Sequence, residues 1–297
     1  MTITVSSNLS SLVAQVNVNK ANNNLNKTLQ QLSSGTRINS AKDDAAGLSI
    51  SVGFTTQISG AKKAMDNIQD GLNLLNSAES GMNVTYEHLA RIRDLCVQVA
   101  NGIYSTLNRS VILEEIKQRI EDIDTQAKAM NFNGVKLLDG SRSELILQVG
   151  AGSDEVTNSI DVGPALPNST VDKTASGNGL DIYLKVTTGT PIDGTWTNIA
   201  DWDHDAIVDY MDKIDVAING IVSKRSSLGA YMSRLEGTYD NLNTTYNNLT
   251  ESNSRIVDLD YAQASSDMIK YQILQQVSTS VLAQANTVPQ MALQLLQ

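Results

Sequence analysis

Between Ile207 and Ile256 an apolar side chain returns at alternating steps of four and three residues: Ile207, Met211, Ile214, Ile218, Ile221, Leu228, Met232, Leu235, Tyr239, Leu242, Tyr246 and Leu249, with Arg225 and Asn253 as the polar interruptions. A period of 3.5 is the seam of a coiled coil. At 1.5 Å per residue the helix it predicts runs roughly 75 Å, far beyond the three or four turns usual in a compact domain, so the spacing predicts a rod.

The same spacing occurs upstream at Ile58, Ala61, Met65, Ile68, Leu72, Leu75, Met82, Tyr86, Leu89 and Cys96, with Glu79 and Arg93 as the polar exceptions. A third, shorter stripe comprises Leu113, Ile116, Ile120, Ile123, Ala127 and Met130, and Asn131-Phe-Asn-Gly134 supplies a stop just beyond it. Three seams of this kind can close on one another as a bundle.

Both ends of the chain are periodic as well. Leu9, Leu12, Val16, Val18, Ala21, Leu25, Leu29 and Leu32 run up to Ser33-Ser-Gly35, where Gly follows the last periodic residue as a helix stop. At the other end Leu274, Val277, Val281, Ala285, Val288, Ala292 and Leu295 form a second stripe, so the two ends are expected to pair. Pro289 lies inside that stripe and predicts a bend rather than a termination, because the apolar spacing continues beyond it.

From about 137 to 200 the helical period vanishes. Leu145 to Val149, Ser159 to Val162 and Leu180 to Val186 alternate as short strands between turn residues such as Gly150 to Ser153 and Gly163-Pro164, and helix resumes near the acids of 201–205. The predicted fold is therefore mainly α, a long helical hairpin or coiled-coil bundle with paired terminal helices and a small β-hairpin insertion. Its expected divisions are a terminal coiled-coil domain of 1–45 with 255–297, an N-terminal bundle part of 46–200 that includes the insertion at 137–200, and a returning helix of 201–254.

Composition narrows the function classes. Of 297 residues 41% are hydrophobic but only 4% aromatic, so aliphatic contacts must do most of the packing. A net charge of -10 argues against nucleic acid, which needs clustered Lys and Arg to displace counterions. The charge is also uneven: no acid precedes Asp43, and after Asp260 only Asp267 and Lys270 are charged, which marks the ends as interfaces. No apolar run approaches the ~20 residues that span a bilayer, so membrane insertion is not expected. No basic and apolar secretory leader is visible, so a chain that leaves the cell is expected to do so without a cleaved signal.

Candidate chemistry is sparse. His88 and His204 belong to no H-E-x-x-H pair, and neither a P-loop nor a G-x-G-x-x-G turn occurs. The Asp201, Asp203, Asp205 and Asp209 cluster lacks the calcium loop's central Gly and final Glu and reads as helix capping. Asp43 and Asp44 are adjacent and point to different helix faces, which suits a charged turn entering a helix better than an acid/base pair. Cys96, the single cysteine, sits on a seam and reads as a small buried hydrophobe. No catalytic, cofactor-binding or metal-binding residue, no cofactor and no enzymatic activity are expected.

Several long segments then carry a family resemblance. Ser33-Ser-Gly-Thr-Arg-Ile-Asn-Ser-Ala-Lys-Asp-Asp-Ala-Ala-Gly-Leu-Ser-Ile-Ser51 resembles the N-terminal signature of the bacterial flagellins, and Asn131-Phe-Asn-Gly-Val-Lys-Leu-Leu138 resembles their segment before the β region. Ser254-Arg-Ile-Val-Asp-Leu-Asp-Tyr-Ala262, Thr279-Ser-Val-Leu-Ala-Gln-Ala-Asn286 and Val288-Pro-Gln290 resemble their terminal motif. The similarity covers about 1–150 and 205–297. Cys96, Gln263 with Ala264 where an acid is often found, and a short insertion depart from the pattern.

That resemblance implies an extracellular structural subunit that leaves the cell unfolded through the flagellar type III apparatus and polymerises with copies of itself into the flagellar filament for motility. Implied partners are an export chaperone, the filament cap and the hook-junction proteins, and the implied polymerisation seam is Leu25, Leu29, Leu32, Leu274, Val277, Val281 and Ala285. The segment Glu87 to Gln98 resembles the one recognised by a host Toll-like receptor, with Arg91, Leu95 and Glu115 as candidate contacts. Two rival readings are a hook-filament junction protein with similar ends and a secreted adhesin that uses the β insertion.

Overall fold

The computed structural model describes residues 8–141, 144–170, 180 and 204–294, and the chain divides into two compact units, 1–59 with 246–297 and 60–245. The expected strand Leu180 to Val186 lies outside the described residues except for Leu180, and so do Asp201 and Asp203.

The first unit is built on α1 (Leu9–Ser34) and α6 (Tyr261–Gln294). Asn8 caps α1, its side-chain oxygen accepting the Ser11 N–H at 3.1 Å. Gly35 ends it at φ 73°, a left-handed value that favours glycine, and its N–H donates to the Gln31 carbonyl. The two helices run antiparallel, as three widely spaced bonds fix. Asn8 Nδ2 donates to the Ala285 carbonyl at 2.8 Å, Gln275 Nε2 to Asn22 Oδ1 at 2.6 Å, and the Tyr261 hydroxyl to the Leu32 carbonyl at 3.2 Å. Helix α6 continues through Pro289 to Gln294, so the proline does not end it.

The second unit is a bundle of three helices: α2 (Ala45–Ala100) from residue 60, α3 (Thr106–Ala129), and α5 (His204–Val257) up to residue 245. Their expected seams form one core. Ile68, Leu75, Met82, Leu89 and Cys96 of α2 meet Ile116, Ile120 and Ile123 of α3 and Ile207, Ile214, Ile221, Leu228 and Leu235 of α5. From Ile207 to Leu235 every other seam position of α5 is fully buried, the alternation a 3.5 repeat imposes on a bundle helix.

Between α3 and α5 the chain makes a hairpin of β1 (Asn131–Phe132) with β2 (Val135–Lys136), then a second antiparallel pair, β3 (Ile146–Gln148) with β4 (Ser159–Asp161). The short helix α4 (Glu155–Asn158) joins β3 to β4, and a 3-10 turn, Gly163–Ala165, follows β4. Asn131 to Gly134 does more than stop α3. Asn133 and Gly134 both have positive φ, 48° and 80°, so they form the primed two-residue turn that suits a twisted hairpin. These segments lie against α2, where a Cβ at Gly71 would stand 2.5 Å from Leu147 Cδ1 and one at Gly81 would stand 2.7 Å from Leu138 Cδ1.

Candidate assembly and contact surfaces

Helices α1 and α6 present two different faces. On α1 the buried and half-buried positions include Ser11, Ala14, Val18, Ala21, Leu25, Thr28 and Leu32; on α6 they include Ala264, Met268, Tyr271, Gln275, Ser278, Leu282 and Ala285. Both sets step by three and four, so the inner seam is a coiled coil in which small and polar residues alternate with larger apolar ones. Most of the large aliphatics point elsewhere. Leu9, Leu12, Val13, Val16 and Leu29 of α1 and Ile269, Ile273, Leu274, Val277 and Val281 of α6 are exposed.

The seven residues of the implied polymerisation seam fall on both faces. Leu25, Leu32 and Ala285 face inward, whereas Leu29, Leu274, Val277 and Val281 are on the outside. The pairing of the ends holds, but on α6 it uses the neighbouring face, because Gln275 and Ser278 fill seam positions that a search for aliphatics passes over. Ten half-exposed aliphatics, each stabilising by roughly 1 kcal/mol on further burial, leave on the order of 10 kcal/mol of apolar association unspent. Exposed aliphatics in such number mark an interaction surface when they lie on one element.

The segment joining α1 to α2 is held by its own polar groups. Asp43 accepts from Lys27 Nζ at 2.9 Å and from the Asn39 and Ser40 N–H groups at 3.3 Å each. The Lys27 hydrogen bond, above all, holds its carboxyl below the ordinary carboxylate range. Asp44 instead caps α2, accepting the Gly47 N–H at 2.9 Å. The adjacent acids thus serve separate turns and share no cleft. Arg37 reaches the other linker, its N–H donating to the Val257 carbonyl at 2.6 Å and its Nη2 to the Ile256 carbonyl at 2.7 Å. These carbonyls end α5 and have no partner within the helix.

In the bundle the structure brings together Arg91 and Glu115, with Arg91 Nε 3.2 Å from Glu115 Oε1. Arg119 Nη2 reaches the same oxygen at 3.0 Å. Desolvation pushes the Glu115 carboxyl up, but hydrogen bonds from Arg119 and Arg91 outweigh it and the net shift is downward. Leu95 does not join them. It is 1% exposed and packed in the core, which corrects its expectation as a surface contact. Helix α2 faces two helices at once, so its buried face widens to include Ile92, Leu95, Cys96 and Val99, beyond a single seam.

Cys96 is fully buried, and desolvation raises its thiol to about 12, only partly offset by Arg93. Among the described residues no group of His, Cys, Asp and Glu could hold a metal ion, and no helix is long and apolar enough to cross a membrane.

Comparisons with known proteins agree on one family. Residues 5–143 match the family model for the bacterial flagellin N-terminal helical region, and residues 211–296 match that for the C-terminal helical region. The chain is 34% identical over 378 aligned residues to flagellin E of Vibrio cholerae, covering all of both chains. It is 35% identical over 314 residues to the flagellin of Bacillus subtilis, covering 99% of each. Among solved structures, a Vibrio parahaemolyticus protein assigned as flagellar hook-associated shares the fold with TM-score 0.57 at 16% identity, covering 73% of this chain and 100% of that one.

Proposed function

Because the chain belongs to the bacterial flagellins, structural proteins of the extracellular flagellar filament and not enzymes, we propose that its copies polymerise through the outer aliphatic faces of α1 and α6. The observation that carries this reading is the outward placement of Leu9, Leu12, Val16, Ile273, Val277 and Val281 on a pair of helices whose inner seam is already closed. The paired segment 1–45 with 255–297 then forms the inner tube of the fibre. The chain leaves the cell unfolded through the flagellar type III apparatus, with an export chaperone, the filament cap and the hook-junction proteins as partners. Alignment with filament flagellins along the whole chain favours this role over that of a hook-filament junction protein or an adhesin.

Purified chain seeded with filament fragments is expected to grow fibres visible by electron microscopy, and a chain lacking 261–297 is expected to grow none. Growth by the truncated chain would overturn the reading.

The exposed Arg91 and Glu115 pair supports a contact with a host Toll-like receptor, reduced to those two residues because Leu95 is inside. Arg91→Ala should weaken receptor activation by monomer; unchanged activation would remove the assignment.

A further inference from the structure

The helical glycines of the second unit fall into two kinds. On α2 a Cβ at Gly60, Gly71 or Gly81 would come within 2.6, 2.5 or 2.7 Å of Ala151, Leu147 or Leu138, so each glycine makes room for the β segments. On α5 a Cβ at Gly220, Gly229 or Gly237 would meet nothing within 4 Å. All three are exposed and interior to a helix that continues unbroken. No close approach among the described residues requires them, yet each weakens the helix roughly four- to fivefold relative to Ala.

The rest of α5 points the same way. Ser227, Thr238, Thr244 and Thr245 turn their hydroxyls back onto the carbonyls of Ser223, Arg234, Asp240 and Asn241 at 2.9–3.2 Å, a habit that slightly destabilises and bends helices. What holds α5 helical is therefore its buried seam, Ile207 to Leu235, and not its own propensity.

We infer that Gly220, Gly229 and Gly237 keep α5 intrinsically weak, so that the bundle opens readily when the chain must travel as an unfolded thread. This rests on the reading that the protein is exported unfolded. The three sites are eight or nine residues apart along the helix, so their effects should add, to roughly a hundredfold in the folding equilibrium.

The test is the full-length triple variant Gly220→Ala, Gly229→Ala and Gly237→Ala. Its melting temperature should rise by roughly 6–10 °C. Seeded filament growth from purified protein should match wild type, while secretion by flagellated cells should fall severalfold. Adding Leu228→Ala, which removes a fully buried seam side chain, should bring melting temperature and secretion back together. The inference is overturned by an unchanged melting temperature, by a raised one with secretion unaltered, or by impaired seeded growth, which would make the glycines a place where a neighbouring copy approaches. Wild-type secretion that persists without the export apparatus would instead strike the reading beneath it.

Discussion

Arg225 of α5 and Glu79 of α2, each a polar interruption in its own seam, meet in the bundle, with Arg225 Nη2 3.5 Å from Glu79 Oε1. A second pair joins the same two helices. Arg93, the other polar exception on α2, grips Asp215 with two bonds, Nε to Oδ1 at 2.5 Å and Nη2 to Oδ2 at 3.2 Å. Both pairs are partly open to solvent, so their weight lies more in setting the register of two long helices than in stability. A uniform apolar seam can slide by a heptad, and fixed charge pairs disfavour the slid alignments.

The Arg93 hydrogen bond lowers the Asp215 carboxyl below its ordinary range. On acidification the unfolded chain takes up this proton before the folded one does, so the pair's contribution is complete above about pH 4 and is lost as pH falls through the folded value. Asp215→Asn should therefore lower the melting temperature slightly at pH 7 and low salt, with the gap closing as pH falls below the ordinary carboxylate range and shrinking in 1 M salt. Thermal scans of the two proteins across pH check this.

Leu89 and Ile92 are wholly buried on α2. Replacing either with Ala removes packed methyl groups and leaves a cavity, and should cost about 2–5 kcal/mol, read as a lower urea midpoint with the slope unchanged. An exposed aliphatic on α6 such as Ile273 should lose far less in the same experiment on monomer.

Cys96 should not react with thiol reagents at pH 8 in the folded protein and should react at once in denaturant, because the thiolate is the nucleophile and burial raises the thiol to about 12. Above the ordinary thiol range near 9 the unfolded chain releases this proton while the folded chain keeps it, so stability should fall between pH 9 and about 12. Cys96→Ala should flatten that part of the profile, as urea midpoints at several pH values will record.

The bundle helices were legible because Ile, Leu and Met occupy nearly every seam position of α2, α3 and α5, and a period carried by large residues survives a few polar exceptions. The hairpin after α3 was read only as a stop, although Asn133-Gly134 is the dipeptide a primed turn demands. On α6 the apolar period runs through Leu274, Val277 and Val281, whereas the intrachain seam runs through Gln275 and Ser278; with two stripes on one helix, periodicity does not say which meets the partner. The resemblance makes Leu95 a candidate contact, and the second neighbour of α2 buries it. Glycines 60, 71 and 81 carried no pattern, since what they make room for is distant in sequence.

The most direct measurement is sedimentation of seeded assembly mixtures for Val277→Asp with Val281→Asp, two charges on the outer face of α6 and none on its inner seam. With polymerisation through that face, the monomer keeps its wild-type helical content and melting temperature while pelletable filament disappears. Filaments growing at the wild-type rate from the doubly charged protein would contradict it.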